Sequence, residues 1–106
     1  MKTSNLDAKP KTTKIIYRGY SLEIDTSCRY KANDQVVIEA TDDESGEPYA
    51  TMSVCLAHER VKPGHTFIDT NNLPDALEIL VSNKVVEPTG KIGRSGFCEY
   101  PEVRVL

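Results

Sequence analysis

The apolar residues of this chain follow two different periods. Leu73, Ala76, Leu77, Leu80 and Val81 fall at i, i+3, i+4, i+7 and i+8, one stripe of an amphipathic helix. Asn72 precedes the stripe as an N-cap whose side chain can accept from free first-turn N–H groups. Asp75 puts negative charge where the helix dipole favours it, and Pro74 is tolerated in a first turn. Asn83 is placed to close the far end in a left-handed conformation. A lone helix cannot bury such a stripe, so it must lie on a sheet.

Elsewhere the period is two. Residues 14–25 read as two short strands about Gly19, with Tyr20, Leu22 and Ile24 alternating with Ser21, Glu23 and Asp25. Residues 28–33 read as a loop with Tyr30 folded back onto the core. Residues 36–41 and 49–56 form a hairpin joined by the polar D-D-E-S-G-E-P, where Gly46 can take a positive φ. A polar turn at Pro63-Gly64 leads into a strand at 66–69. After the helix come Val85-Val86-Glu87, then the turn-like P-T-G-K-I-G-R-S-G. Residues 97–106 contain Pro101, which cannot donate to a ladder, so they read as an edge strand or two short ones. The expected fold is α+β: a small antiparallel sheet of about five to seven strands with one helix packed on a face. Residues 14–106 make a single domain, and residues 1–13 read as a disordered N-terminal tail.

Composition agrees with one small globular domain. A chain of 106 residues with five Tyr and two Phe can build a modest core. No run reaches membrane-spanning length, and residues 1–14 lack the apolar centre of a signal peptide. Three widely spaced Cys suggest a reduced, cytoplasmic protein. The net charge of −3 is unevenly spread. Residues 1–20 carry five Lys and Arg against one Asp, and residues 21–60 carry three against nine acids. The only basic concentration is therefore the N-terminal segment, short of the basic stripe of a free nucleic-acid binder.

Three constellations can carry chemistry. The first is the acidic set Glu39, Asp42, Asp43, Glu44 and Glu47 around the hairpin turn. The oxygens of the four turn acids, Asp42, Asp43, Glu44 and Glu47, suit Ca²⁺, but the spacing is not that of an EF-hand, and a solvated turn is the plainer reading. The second is Cys55 and His58 at C-x-x-H spacing, with His65 and Cys98 further on. Thiolate and imidazole are the ligands tetrahedral Zn²⁺ prefers, so these four make a candidate zinc site against the plainer reading of unliganded side chains. The third is Gly90 to Gly96, basic through Lys91 and Arg94. Its G-R-S-G matches the G-x-x-G of KH domains, but a strand-like segment follows it where KH requires a helix, and a glycine turn explains it. No Cys nucleophile context and no H-E-x-x-H stands in the chain, so a non-enzymatic protein is expected.

F-I-D-T-N-N-L-P at 67–74, E-P-T-G at 87–90, S-G-F-C-E-Y-P at 95–101 and G-E-P-Y-A-T at 46–51 carry a resemblance. Together they resemble a family of small uncharacterised proteins carried on mobile genetic elements of Gram-positive bacteria. That resemblance implies an anti-defence role, such as an anti-CRISPR inhibitor, and brings no catalytic residues with it. The expected function is then a protein-binding inhibitor of a host defence system, with a CRISPR effector nuclease as partner and the acidic set as the contact. The alternatives are a nucleic-acid-binding accessory protein using Lys91, Arg94 and the basic tail, and a small zinc-binding structural module.

Overall fold

The computed structural model describes residues 12–106. The tail expected at 1–13 lies outside the described residues except for Thr12 and Thr13, which already belong to a strand. In chain order the elements are β1 (Thr12–Tyr17), β2 (Tyr20–Arg29), β3 (Val36–Asp42), β4 (Pro48–Thr51), β5 (Ser53–Val54), β6 (His65–Ile68), α1 (Ala76–Ser82), β7 (Val86–Ser95) and β8 (Cys98–Val105). The class is broadly α+β. The strands divide, however, into two four-stranded antiparallel sheets, β1-β2-β3-β4 and β5-β6-β8-β7, where one sheet was expected.

The division happens at Met52, inside a stretch whose alternation is unbroken. In an antiparallel ladder, residues opposed at a hydrogen-bonded position exchange both of their backbone bonds. Met52 donates its N–H to the Ile38 carbonyl at 2.7 Å but turns its own carbonyl to the N–H of Asp69, at 2.9 Å. That would leave the Ile38 N–H without its acceptor. Ser53 Oγ takes the carbonyl's place at 2.9 Å and also shares a 2.9 Å hydrogen bond with the Tyr30 hydroxyl. Met52 thus closes the first sheet and opens the second.

Both sheets contribute inward residues to one core. Tyr17, Leu22, Ile24 and Ile38 come from the first, Ile68, Val86 and Val103 from the second, and Met52 from the crossing. The helix adds Ala76 and Leu80, both fully buried, while Leu73, Leu77 and Val81 are half-buried against the same cluster. The apolar stripe read from the sequence therefore packs, with Leu80 as its centre. Burial of such a Leu contributes about 1.5–3 kcal/mol.

The helix ends differ from the expectation. Asp75 occupies the N-cap position and makes no capping bond. Asn72 instead bonds Asp69, through its N–H and its side-chain amide. Asn83 has φ −94 and donates its backbone N–H and Nδ2 to the Ile79 carbonyl. The left-handed residue is Lys84, at φ 60.

Asp75 is engaged elsewhere. Its carboxylate accepts the Tyr17 hydroxyl at 2.5 Å and the Arg18 guanidinium at 3.2 and 3.3 Å. This latch fastens the β1–β2 turn to the head of the helix. The Tyr17 and Arg18 hydrogen bonds hold the Asp75 carboxyl below its usual value. Burial, then the Asp75 bond, pushes the Tyr17 phenol up to about 12.

The second sheet has a small core on its outward face too. Phe67 points opposite to Thr66 and Ile68 and packs with Leu56 and Tyr100. The segment after β5 folds over this face, held by the buried Gln35. The Gln35 amide accepts from the Leu56 N–H at 3.2 Å and donates to the carbonyls of Leu56 and Glu59 at 3.0 and 3.2 Å. Gly93 makes room, because a Cβ there would lie 2.6 Å from a Phe67 ring carbon and 2.7 Å from a Leu56 methyl.

Three further segments depart from the sequence reading. Cys28 and Arg29 extend β2, so the expected loop begins at Tyr30. The turn-like segment from Pro88 is strand β7, with a bulge between Pro88 and Ile92. β8 is an interior strand between β6 and β7, not an edge. Pro101 is accommodated because the pairing with β6 stops at Glu102, so no β6 ladder bond is asked of it.

Two outcomes follow from these contacts. Ser53→Ala should destabilise the fold by about 1–3 kcal/mol in urea denaturation, with unchanged m, because it strands the buried Ile38 N–H. The latch should show in the pH dependence of thermal unfolding. Asp75 has its folded value below the unfolded 3.8, so its contribution is complete above that pH and is lost as pH falls through the folded value. Tyr17 has its folded value above the unfolded 10.0, so its contribution is complete below pH 10 and is lost as pH rises toward about 12. Tyr17→Phe should remove the alkaline component and leave a lower plateau at neutral pH.

Candidate functional site

Alternation in β2 sends Leu22 and Ile24 inward and therefore Glu23 and Asp25 outward. The register then sets Asp25 directly between Thr12 of β1 and Glu39 of β3, and sets Glu39 opposite Thr51 of β4. Two carboxylates thus face each other on neighbouring strands. Like charges so placed are destabilising, by about 0.2–1 kcal/mol. Among the described residues neither has an ion-pair partner, and Asp25 is met only by the N–H and hydroxyl of Ser27, at 2.8 and 2.6 Å.

The five acidic residues singled out by the sequence separate into two groups. Asp42 accepts from the N–H groups of Glu44 and Ser45 at 2.8 and 3.2 Å, shaping the β3–β4 turn. Asp43 pairs with Lys14 at 3.4 Å and accepts from Ser21 Oγ. Glu39, Glu44 and Glu47 are exposed and keep their charge available. Sequence reasoning missed Asp25 and Glu23 as members of this face. The alternation of residues 20–25 gives their outward direction, but the register that sets Asp25 against Glu39 belongs to the folded sheet.

The four candidate zinc ligands do not come together. Among the described residues no group of three or more His, Cys, Asp or Glu side chains converges on a metal position. Strand register gives the reason. Cys98 opens β8 opposite Ser95, whereas His65 stands opposite Arg104, six residues or about 20 Å further along the strand. Zinc ligands must lie within about 2.3 Å of one ion. Both imidazoles also have another partner. His58 Nε2 bonds the Arg94 carbonyl at 2.6 Å, and His65 Nδ1 bonds Glu102 Oε2 at 2.6 Å. Cys98 packs against the cluster of Leu56, Phe67 and Tyr100, and its thiol beside the Tyr100 hydroxyl raises that phenol. Cys55 is half-buried just after β5.

The basic segment also divides. Arg94 is paired with Glu99 at 3.0 Å, and Gly93 to Gly96 finish β7 and enter the β7–β8 turn, between two strands and not between the helices a KH loop needs. Lys91 instead faces a cleft of about 460 Å³ beside the segment that covers the second sheet, together with Arg60, Lys62, His65 and Glu102. No helix among the described residues is long and apolar enough to cross a membrane.

The Asp25–Glu39 opposition makes a measurable claim. Glu39→Gln or Asp25→Asn alone should raise stability by about 0.2–1 kcal/mol in chemical denaturation. The double variant should gain less than the sum, because either change removes the same repulsion.

Comparison with known proteins gives a family without an assigned activity. No curated protein and no solved structure gives a significant match to the chain. Residues 21–105 match the model of a family described as a domain of unknown function, DUF4313. The matched stretch runs from the start of β2 to the end of β8 and takes in the acidic face, the crossing at Met52 and the cleft; the chain belongs to the DUF4313 family.

Proposed function

We propose that the protein is a non-enzymatic inhibitor of a host defence system, which docks the outward face of its first sheet onto a positively charged partner surface. The carrying observation is the opposition of Asp25 and Glu39, two carboxylates set side by side on neighbouring strands with no ion-pair partner among the described residues. A folded sheet gains nothing from that arrangement and loses some stability to it. It becomes favourable when a cationic surface covers both. Glu23 on the same face and Glu44 and Glu47 in the adjoining turn extend the negative field.

The sequence resemblance to proteins of mobile genetic elements supplies the partner class, a CRISPR effector nuclease. Such effectors hold nucleic acid in positively charged channels. Carboxylates held on a rigid sheet approach such a channel without ordering a flexible segment, and their long-range contribution is chiefly to the association rate. The reading as a nucleic-acid-binding accessory protein is disfavoured by the pairing of Arg94 with Glu99 and of Arg104 with Glu87. Among the described residues these pairs interrupt a continuous basic stripe.

The test is kinetic. Asp25→Asn, Glu39→Gln, Glu44→Gln and Glu47→Gln combined should leave the protein folded and slow its association with a captured effector about tenfold or more at low salt. The two rates should converge as salt is raised. An unchanged low-salt association rate would overturn docking through this face. A pull-down from a CRISPR-bearing host lysate that never recovers an effector would overturn the partner class.

A further inference from the structure

The cleft on the outward face of the second sheet has the chemistry of an anion site, and nothing in the acidic-face reading uses it. Its volume of about 460 Å³ lies in the range of small-molecule sites, roughly 300–1,000 Å³. Arg60, Lys62 and Lys91 line it, and among the described residues none of the three has a carboxylate within ion-pair distance. The other cations of this sheet, Arg94 and Arg104, are paired with Glu99 and Glu87. Free positive charge on the sheet is thus gathered at the cleft.

The wall of the cleft is built as well as charged. Glu102 is 5 % exposed and its Oε2 lies 2.6 Å from His65 Nδ1. An ionised carboxylate only accepts, so Nδ1–H donates and the ring presents Nε2 as its remaining polar atom. The bulge in β7 places Lys91 at the rim. The Lys91 N–H donates to Thr89 Oγ1 at 3.3 Å, and Thr89 Oγ1 donates to the Glu102 carbonyl at 3.4 Å. Bulges of this kind re-aim a side chain at the edge of a site. Opposite, the Arg60–Lys62 segment is fixed by the Gln35 bonds to Leu56 and Glu59.

We propose that this cleft binds a small phosphate monoester. Three cations against the Glu102 carboxylate leave an excess of two positive charges when His65 is neutral, which matches a phosphate monoester carrying about −1.5 to −2 at neutral pH. Guanidinium and ammonium groups together supply the charge-assisted hydrogen bonds that phosphate oxygens accept best. Val61 gives the cleft an apolar wall for the body of the ligand. A polynucleotide fits less well, because Arg94 and Arg104, the other cations of this sheet, are already paired with Glu99 and Glu87, so among the described residues no basic track leads away from the cleft.

The experiment uses the full-length protein and amide NMR at constant ionic strength, with inorganic phosphate and AMP as probes. Both should give saturating shifts centred on Lys62, His65 and Lys91, and adenosine should give none. Lys62→Gln with Lys91→Gln, two exposed positions outside the core, should weaken AMP binding about tenfold or more while the rest of the spectrum is kept; Arg60→Gln should weaken it independently. The proposal is overturned if chloride at the same ionic strength produces the same shifts. It is also overturned if adenosine binds as well as AMP, or if a deoxyadenosine oligonucleotide lacking a terminal phosphate binds these residues more tightly than AMP.

Discussion

The structure depends on how one residue shares its backbone. Met52 gives its N–H to the first sheet and its carbonyl to the turn after β6. No polar group at this buried crossing can be left unpaired without a penalty of order 1–3 kcal/mol. The Ser53 hydroxyl resolves the deficit by standing in for the missing acceptor of Ile38, and Tyr30 is drawn in by the same oxygen. Burial raises the Tyr30 phenol. A continuous strand running from Tyr49 to Leu56 would have made one larger sheet. The switch makes two, and places their inward faces around a common core.

Two sheets around one core leave two outward faces with different fates. The outward face of the first is solvated and acidic, with Asp25 and Glu39 set against one another. The outward face of the second is covered by the segment following β5, which Gln35 ties down. Phe67, Leu56 and Tyr100 pack beneath that cover, and the cleft opens beside it. The uneven charge of the sequence thus becomes spatial. Acidic side chains that mostly come from residues 21–60 gather on one sheet, and Arg60, Lys62 and Lys91, without an ion-pair partner among the described residues, gather on the other. The latch from Asp75 to Tyr17 and Arg18 braces this arrangement, since it joins the first hairpin to the helix.

Much of this was determined by the sequence alone. The 3.6-residue stripe of Leu73, Ala76, Leu77, Leu80 and Val81 specified the one helix and the face it buries. Alternation specified which side chains of β2 and β3 point inward, because a side-chain period of two follows from the pleat itself. The exposure of Glu39 was legible for the same reason, and that of Glu44 and Glu47 from the polar turn that carries them. Only the tertiary structure decided who stands beside whom. Alternation reads identically whether the next strand lies in the same sheet or in another, so the crossing at Met52 is silent in the sequence. Register along β8 holds Cys98 and His65 far apart although both suit zinc. Register across β2 and β3 brings Asp25 to Glu39 although they are distant in the chain. Cap residues were misassigned for a related reason. Asn72 could cap a free helix, but its side-chain amide bonds Asp69, and at Asp75, the residue just before the helix, Tyr17 and Arg18 arrive from another element and claim the carboxylate. Local periodicity sets the direction of each side chain, and long-range hydrogen bonding chooses its neighbour.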